Sequence, residues 1–574
     1  MDRRSVAHGS PLAAPSPGSS PSPPRRWRWL PRLLLLGTGL YAALLLLWFA
    51  RSFASLSAPS SGSPIANGPV IAAANGNTSS ANAQLKSTKT QRLALEETHA
   101  QLVKALPMGE SRQRRLRCIG WRATSDCSPF GPRDLARDQS CKRMVYNSDS
   151  GYCELEDEQS GERFRVMRRS CRSLRRSARF RCADALDFVG FRVKAMQAVE
   201  KASEPGFTLP HVGADQSHPN DGIAIVVYPK LVPSAYATIR ALRDVLDCRL
   251  PIEIWYCPQE LPSIPGPLLP LKQLADSDGK ITFQQIKDPR AIGFGAKVYA
   301  IYHSSFDRVL FLDADNVPVR DPSVLFDATE FKETGAVFWP DFWHPKHTIF
   351  NIHEDSMLWE LLDMPFVDMF EQESGQLLVD RRRHAAPLEL VFFYMFHRPN
   401  HFETLRVAHG DKDLFRLAWL KLKAPFHMIQ APPAIAGKLI DSSFCGMTMV
   451  QHDAQGGVLF LHRNQLKLLG KPADLKKREA MESDGYPDPI IWTHLLSFRN
   501  TSRLEQYVID TYSAEPEFPK AQSCYGQREL GKNPLFVTQE ISHSSFAGLE
   551  THMRRFAMEA ADIMVQVAGT HSDG

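Results

Sequence analysis

The ten cysteines of this chain include no CxxC pair, which argues against a structural zinc site. No GxxxxGK[ST] or GxGxxG loop occurs in the 574 residues, so neither a phosphate loop nor a dinucleotide fingerprint is present. Basic residues do not interleave with aromatics in the manner of a nucleic-acid surface, and the net charge of +5 is small, so no nucleic-acid partner is expected. Uncharged apolar runs long enough to cross a bilayer are absent, with one exception.

That exception is residues 33–50, LLLLGTGLYAALLLLWFA. With Trp29 and Leu30 ahead of it, the run reaches the roughly 20 residues that span a membrane. Arg3, Arg4, Arg25, Arg26, Arg28 and Arg32 precede it and Trp48 lies near its far end. Arginines hold the near side in the cytoplasm, and a tryptophan suits the opposite interface. A cleaved signal peptide would carry a shorter apolar core and a shorter basic lead. The expectation is a cytoplasmic tail (1–29), a signal-anchor helix (30–50) and a luminal remainder: a single-pass type II protein of the Golgi membrane.

Residues 51–112 open with Ser, Ala, Pro, Gly and Asn, too little apolar matter to offset ordering entropy, and read as a stem. A helix is expected over 91–106 from the spacing of Leu93, Leu102 and Leu106. Dimerisation through the stem is a further expectation. Asn77 and Asn500 head glycosylation sequons, in keeping with a lumen.

Six cysteines crowd into residues 113–185: Cys118, Cys127, Cys141, Cys153, Cys171 and Cys182. In an oxidising compartment this density implies a disulfide framework with fifteen possible pairings, replacing the core that so small a segment lacks. Residues 110–182 carry 18 Lys and Arg against 10 Asp and Glu. Such charge reads first as a solvated face and second as attraction to anionic glycans or headgroups. Cys248, Cys257, Cys445 and Cys524 are dispersed. Cys248 and Cys257 flank IEIWY and either bridge or are buried.

From about residue 215 to 535 strand and helix patterns alternate. Runs 222–228 and 252–256 read as strands, and 233–246 and 297–306 as helices. This alternation argues a parallel-rich sheet with crossover helices. VLFLDADN (309–316) is then a buried strand ending in two carboxylates, Asp313 and Asp315, where ligands of open α/β sheets sit. Oxygen ligands there suit a hard divalent cation, Mn2+ or Mg2+, and through it a diphosphate. A phosphatase of the haloacid dehalogenase type also ends a strand in DxD, but on its first strand. Here two strand–helix units come before it. Residues 536–574 read as a helical tail.

The text RVLFLDADNVPVRDPSVLFD, then GAVFWPDFW, ESGQLLVDRRRH, GDKDLFRLAW and MVQHDAQGGVLFLHRN, resembles fungal-type Golgi α-mannosyltransferases that extend and branch mannans. WRATSDCSPFGPRD…SGYCE likewise resembles cysteine-rich stem modules that precede some eukaryotic glycosyltransferases. The first resemblance implies a GT-A fold, a Rossmann-like mixed sheet with flanking helices. It implies GDP-mannose as donor, a mannosylated glycan as acceptor, manganese, and retention of the α configuration. The metal would take Asp313, Asp315 and His462. Lys297, Asp313, Asp315, Asn316, Asp341, Asn464 and Lys467 would line the donor, with Arg320 also in reach of it. Gln376, Glu373, Asp411 and Asp413 would serve catalysis. Trp339 and Trp343 around Asp341 read as a stacking platform for a sugar. Two rivals stand beside this: the same fold with a UDP-sugar, and a non-catalytic glycan-binding protein.

Overall fold

The computed structural model describes residues 103–106, 114–146, 149–213, 219–261, 266–471, 484–499, 502–514 and 523–570. The run 30–50, most of the stem, and both sequon asparagines lie outside these residues. Among the described residues no helix is long and apolar enough to cross a membrane.

The cysteine-rich segment is a four-stranded sheet: β1 (Val103–Ala105), β2 (Leu116–Thr124), β3 (Ser150–Asp157) and β4 (Arg163–Arg169), in the order β1-β4-β3-β2. Its bridges are Cys118–Cys141, Cys127–Cys171 and Cys153–Cys182. Of the helix expected over 91–106, residues 91–102 lie outside the described residues and 103–105 form a strand, because the edge of β4 offers unpaired backbone groups that outweigh a weak helical pattern. Much of the module's basic charge is consumed internally. Arg163 pairs with Glu154 and Glu156 at 3.1 Å, Arg133 with Asp138 at 2.5 Å, and Arg114 with Asp157 at 2.9 Å.

Helix α1 (Ala185–Ala202) leads into the main sheet. There β5 (Asp221–Val227), α2 (Val232–Arg240), β6 (Ile252–Tyr256), β7 (Ile281–Gln285), α3 (Phe294–His303) and β8 (Arg308–Asp313) follow the expected alternation. Pro233 opens α2, where its missing N–H costs nothing, and Gly293 opens α3 at φ 52°, a conformation that favours glycine. After β8 come β9 (Asn316–Pro318), β10 (Ala336–Pro340), β11 (Gln372–Asp380), α4 (Ala385–Phe396), α5 (Leu414–Leu422) and β12 (His427–Met428). The sheet runs β12-β10-β11-β8-β5-β6-β7. β5, β6 and β7 progress outward in one direction, and β8 returns to the other side of β5, so the crevice between the carboxyl ends of β5 and β8 is the switch point.

Both faces of this sheet are buried, as its unbroken apolar runs require. Val309 and Phe311 face a core shared with α3, α4 and the cysteine module. Leu310 and Leu312 face a second core, shared with a further sheet and the last helix. That second sheet includes β13 (Ala434–Ile440), β14 (Ser443–His452), β15 (Val458–His462), β16 (His494–Phe498) and β17 (Phe536–Glu540); it is antiparallel and reaches β9 through β15. Beyond residue 469 the strand and helix patterns of the sequence fade. Cys445–Cys524 stitches the sheet across 79 residues. Cys248 and Cys257 are free and buried. The segment expected as a tail contributes β17 and α6 (Leu549–Thr570); Met553, Phe556 and Ala557 of α6 are buried in the second core.

Two buried histidines set a pH response of stability. Burial holds the imidazoles of His384 and His452 down at about 4. The unfolded chain therefore binds protons that the folded one does not, and stability falls as pH drops below the ordinary imidazole value. Each site contributes up to about 1.4 kcal/mol per pH unit between about 6.5 and 4. The melting temperature is expected to fall over that interval, and more shallowly in His384→Gln. An equal slope in that variant would contradict the assignment.

Candidate active site

Three elements meet at the carboxyl end of β8. The strand itself delivers Asp313. β11 runs antiparallel beside it with Leu312 opposite Gln376, which brings Glu373, Ser374 and Gly375 just past the strand end. The chain then passes through Asp315 into β9, where Asn316 lies opposite His462 of β15. His462 thereby reaches carboxylates far away in sequence.

The His462 Nε2 lies 3.2 Å from Asp315 Oδ1 and 3.9 Å from Asp313 Oδ2, and its Nδ1 lies 3.4 Å from Glu373 Oε1. Ligand atoms of Asp313, Glu373 and His462 fall within 4.8 Å of one another. Two carboxylates and an imidazole are a suitable donor set for manganese. Glu373, expected as a catalytic group, thus joins Asp313 and His462 as a candidate ligand. Asp315 adjoins the cluster with its other oxygen paired to Lys467.

The electrostatics are those of a crowded acidic pocket. Burial pushes the Asp313 carboxyl up, against Lys297 and His462, which pull it down. Burial acts on Asp315 in the same sense, but Lys467 and His462 prevail and hold it well below the usual range. For His462, burial opposes the charge, and Asp315 and Glu373 outweigh it, raising the imidazole to about 10.

Lys297, one helix before β8, points into this pocket. Its Nζ donates to Ser374 O at 2.7 Å and Ser374 Oγ at 3.0 Å, and lies 3.1 Å from Asp313 and 3.4 Å from Asp411. Asp411 Oδ2 also accepts from Ser374 Oγ at 2.8 Å. The sequence reading did not single out Ser374 as a link between these groups. Its only signal was its place beside Gly375. Tyr228, at the end of β5, was missed too. Its hydroxyl donates to Gly293 O at 2.7 Å, and burial plus the neighbouring Asp313 and Asp411 raise its ionisation far above the ordinary value.

Other expected residues take different places. Gln376 is fully buried, its Oε1 accepting from Asn316 Nδ2 at 2.6 Å, while its Nε2 has no hydrogen-bond partner. Asp413 is also sealed. It accepts from the Gln372 backbone N–H at 3.0 Å and Arg416 Nε at 2.7 Å, and so anchors α5 to β11 instead of facing the pocket. Asp341 is buried against Lys412 at 2.5 Å. Trp339 donates to His452 O at 2.8 Å from within the core, and Trp343 is buried too, so neither offers a sugar platform. Asn464 Oδ1 accepts from the Met449 backbone N–H at 2.8 Å, which commits it to β14. Arg320 pairs with Asp453 at the far end of β9 and stays away from the site. In each case a partner supplied by another element decides the matter.

Gly375 is where the backbone must be bare. A Cβ there would stand 2.5 Å from His462 Nδ1 and 3.0 Å from Glu373 Oε1. Gly375→Ala is expected to displace the imidazole and lower activity about a hundredfold with the fold retained. Near-normal activity in that variant would show that His462 need not sit there.

Residues 220–453 match a family model described as "Mannosyltransferase putative". The α-1,2-mannosyltransferase MNN5 of Saccharomyces cerevisiae is 25% identical over 292 residues, covering 41% of this chain and 49% of that relative. MNN24 of Candida albicans, another α-1,2-mannosyltransferase, is 28% identical over 249 residues, covering 36% of this chain and 34% of that relative. The chain spans at most about half the length of these relatives. Among solved structures, the mannosyltransferase Ktr4p of S. cerevisiae shows 12% identity and a TM-score of 0.27, covering 45% of this chain and 82% of that one, a likeness too low to bear on fold or function. The resemblance to fungal mannosyltransferases is thus borne out for the stretch that carries the DxD segment and Lys297.

Proposed function

We propose that this protein is a retaining, metal-dependent α-mannosyltransferase of GT-A fold that moves mannose from GDP-mannose to a mannosylated glycan. The observation that carries this reading is the convergence of Asp313, Glu373 and His462 at the switch point of the sheet, Asp313 and Glu373 within the stretch 220–453 that matches mannosyltransferases and His462 just beyond it. Manganese held by these groups, with Asp315 beside them, would supply positive charge toward the diphosphate leaving group. Lys297 and Lys467 add fixed cations at the same end, beside Asp313 and Asp315. Asp411, oriented by Ser374, is placed to accept a sugar hydroxyl. Glu373 is held between His462 and the Gly375 N–H, which donates to it at 2.7 Å. The buried walls around the cluster exclude water, which strengthens each of these charges. In this reading the hydrophobic run at 30–50 anchors the enzyme in the Golgi membrane with the catalytic portion in the lumen.

The test is transfer by the purified full-length protein in detergent, across GDP-mannose, UDP-galactose and UDP-glucose, with manganese and with a chelator. Manganese-dependent transfer from GDP-mannose to an α-mannoside, giving an α product by NMR, is expected. Activity confined to a UDP-sugar would overturn the donor, undiminished activity in chelator would overturn the metal, and a β product would overturn retention.

A further inference from the structure

Between the cysteine module and the catalytic domain lies a cavity of ≈ 560 Å³ that the reaction centre does not use. One wall is the loop that carries Phe130. The other is the catalytic segment containing Glu354, Asp355 and Trp359. Phe130 is 66% exposed, with the Arg168 guanidinium 5.8 Å over its ring. Core packing does not account for it.

Its loop is nevertheless held in place. Cys127–Cys171 ties the loop to the end of β4, the Ser125 N–H donates to Pro132 O at 2.8 Å, and the Gly131 N–H donates to Ser128 O at 3.0 Å. An exposed aromatic on a locked loop binds without first paying to be ordered. The opposite wall is also fixed to the module: Asn351 Nδ2 donates to Ser173 O at 3.0 Å, the Arg168 N–H donates to Glu360 Oε2 at 2.8 Å, and Arg172 pairs with Asp355.

The charge of the cleft selects among ligands. Two guanidinium groups, Arg168 and Arg172, stand against four carboxylates, Asp126, Glu354, Asp355 and Glu360. That balance disfavours phosphorylated glycans and anionic lipid headgroups. It suits a neutral polyhydroxyl ligand, whose vicinal hydroxyls both donate to carboxylates and accept from guanidinium groups while one apolar face lies on an aromatic ring. Clefts at domain boundaries with a few fixed polar groups are the usual setting for such binding.

The cleft is also joined by chain to Glu371, which lies two residues before Glu373 of the reaction centre. Thr348 Oγ1 donates to Glu371 Oε1 at 2.6 Å, Glu371 bonds Lys412 at 2.8 Å, and only a few residues later Asn351 and Asp355 reach the module. We propose that this cleft is a second glycan site that holds the distal part of a neutral, hexose-rich acceptor while its end is elongated. The proposal rests on the transferase reading for its acceptor role, and on the cleft alone for glycan binding.

Phe130→Ala changes an exposed group and Asp355→Asn a half-buried one, both outside the catalytic machinery. In the full-length protein both are expected to raise KM for a mannose octasaccharide by about fivefold or more. KM for a mannose disaccharide, KM for GDP-mannose and kcat should stay as in the unchanged protein. Equal shifts for both acceptor lengths, or none, would overturn the inference. Retardation in a mannan-containing native gel reads binding without turnover. Retardation lost in Phe130→Ala supports the cleft even if GDP-mannose proves not to be the donor, and retardation that persists in both variants overturns it whatever the donor is.

Discussion

Asp313→Asn is expected to lower sugar transfer by about a hundredfold to a thousandfold while the melting temperature stays the same or rises. The two halves of that expectation have separate causes. Asp313 supplies an oxygen to the candidate ligand cluster and sits at the end of the strand where the diphosphate would lie, so a neutral amide removes charge from the point of reaction. The lost rate corresponds to about 3–4 kcal/mol of transition-state stabilisation. Folding, by contrast, gains little from the ionised carboxylate. Burial opposes its charge, and Asp315 and Asp411 oppose it as well. Lys297 keeps Asp411 and Ser374 as partners when Asp313 is neutral. A steady-state rate and a thermal melt on the same sample check both halves. A melt lowered by several degrees, or activity within a few-fold of the original, would show that Asp313 is structural.

Lys412→Met is expected to have the opposite signature, a large loss of stability of about 3–5 kcal/mol. Lys412 is buried among Asp341 at 2.5 Å, Glu371 at 2.8 Å and Asp413 at 3.5 Å. Its Nζ also lies 4.2 Å over the Phe350 ring. Removing the ammonium leaves three carboxylates facing one another out of water, with Arg416 serving Asp413 alone. The melting temperature should fall by about 5 °C. The partner variant identifies the cause. Burial raises the Asp341 carboxyl to about 7, against Lys412, so this group gives up its charge readily. Adding Asp341→Asn to Lys412→Met should therefore recover part of the loss, because the two residues act on each other. A melt within about 2 °C of the unchanged protein, or a double variant no more stable than Lys412→Met, would contradict the charge account.

The first half of the sheet was legible because its strands are unbroken apolar runs separated by helical periods. The strands at 221–227, 252–256 and 308–313 fall where those runs lie. The disulfide character of the module was legible from cysteine density, although the pairing was not, since density carries no distances. Glu373 through Gln376 carry no strand pattern of their own, yet they belong to β11. Hydrogen bonding to β8 on one side and β10 on the other holds polar residues in a strand that their own preferences would not form. Asp413, Asn464, Arg320 and Trp339 each had a chemistry suited to the site, and each is occupied elsewhere by a partner that lies far off in the chain.

By itself the sequence determined the local terms: which runs are apolar on both faces, where a strand stops in carboxylates, where cysteines must staple a small segment, and where a bilayer-length run lies. These depend on neighbours within a few residues. Tertiary structure alone decided that Asn316 pairs with His462, that Glu373 and not only Asp315 stands within ligand distance of that imidazole, and that the cysteine module closes a cleft against residues 354–360. Strand pairing is settled by which of many similar edges bury together, and that competition is resolved only in the folded chain.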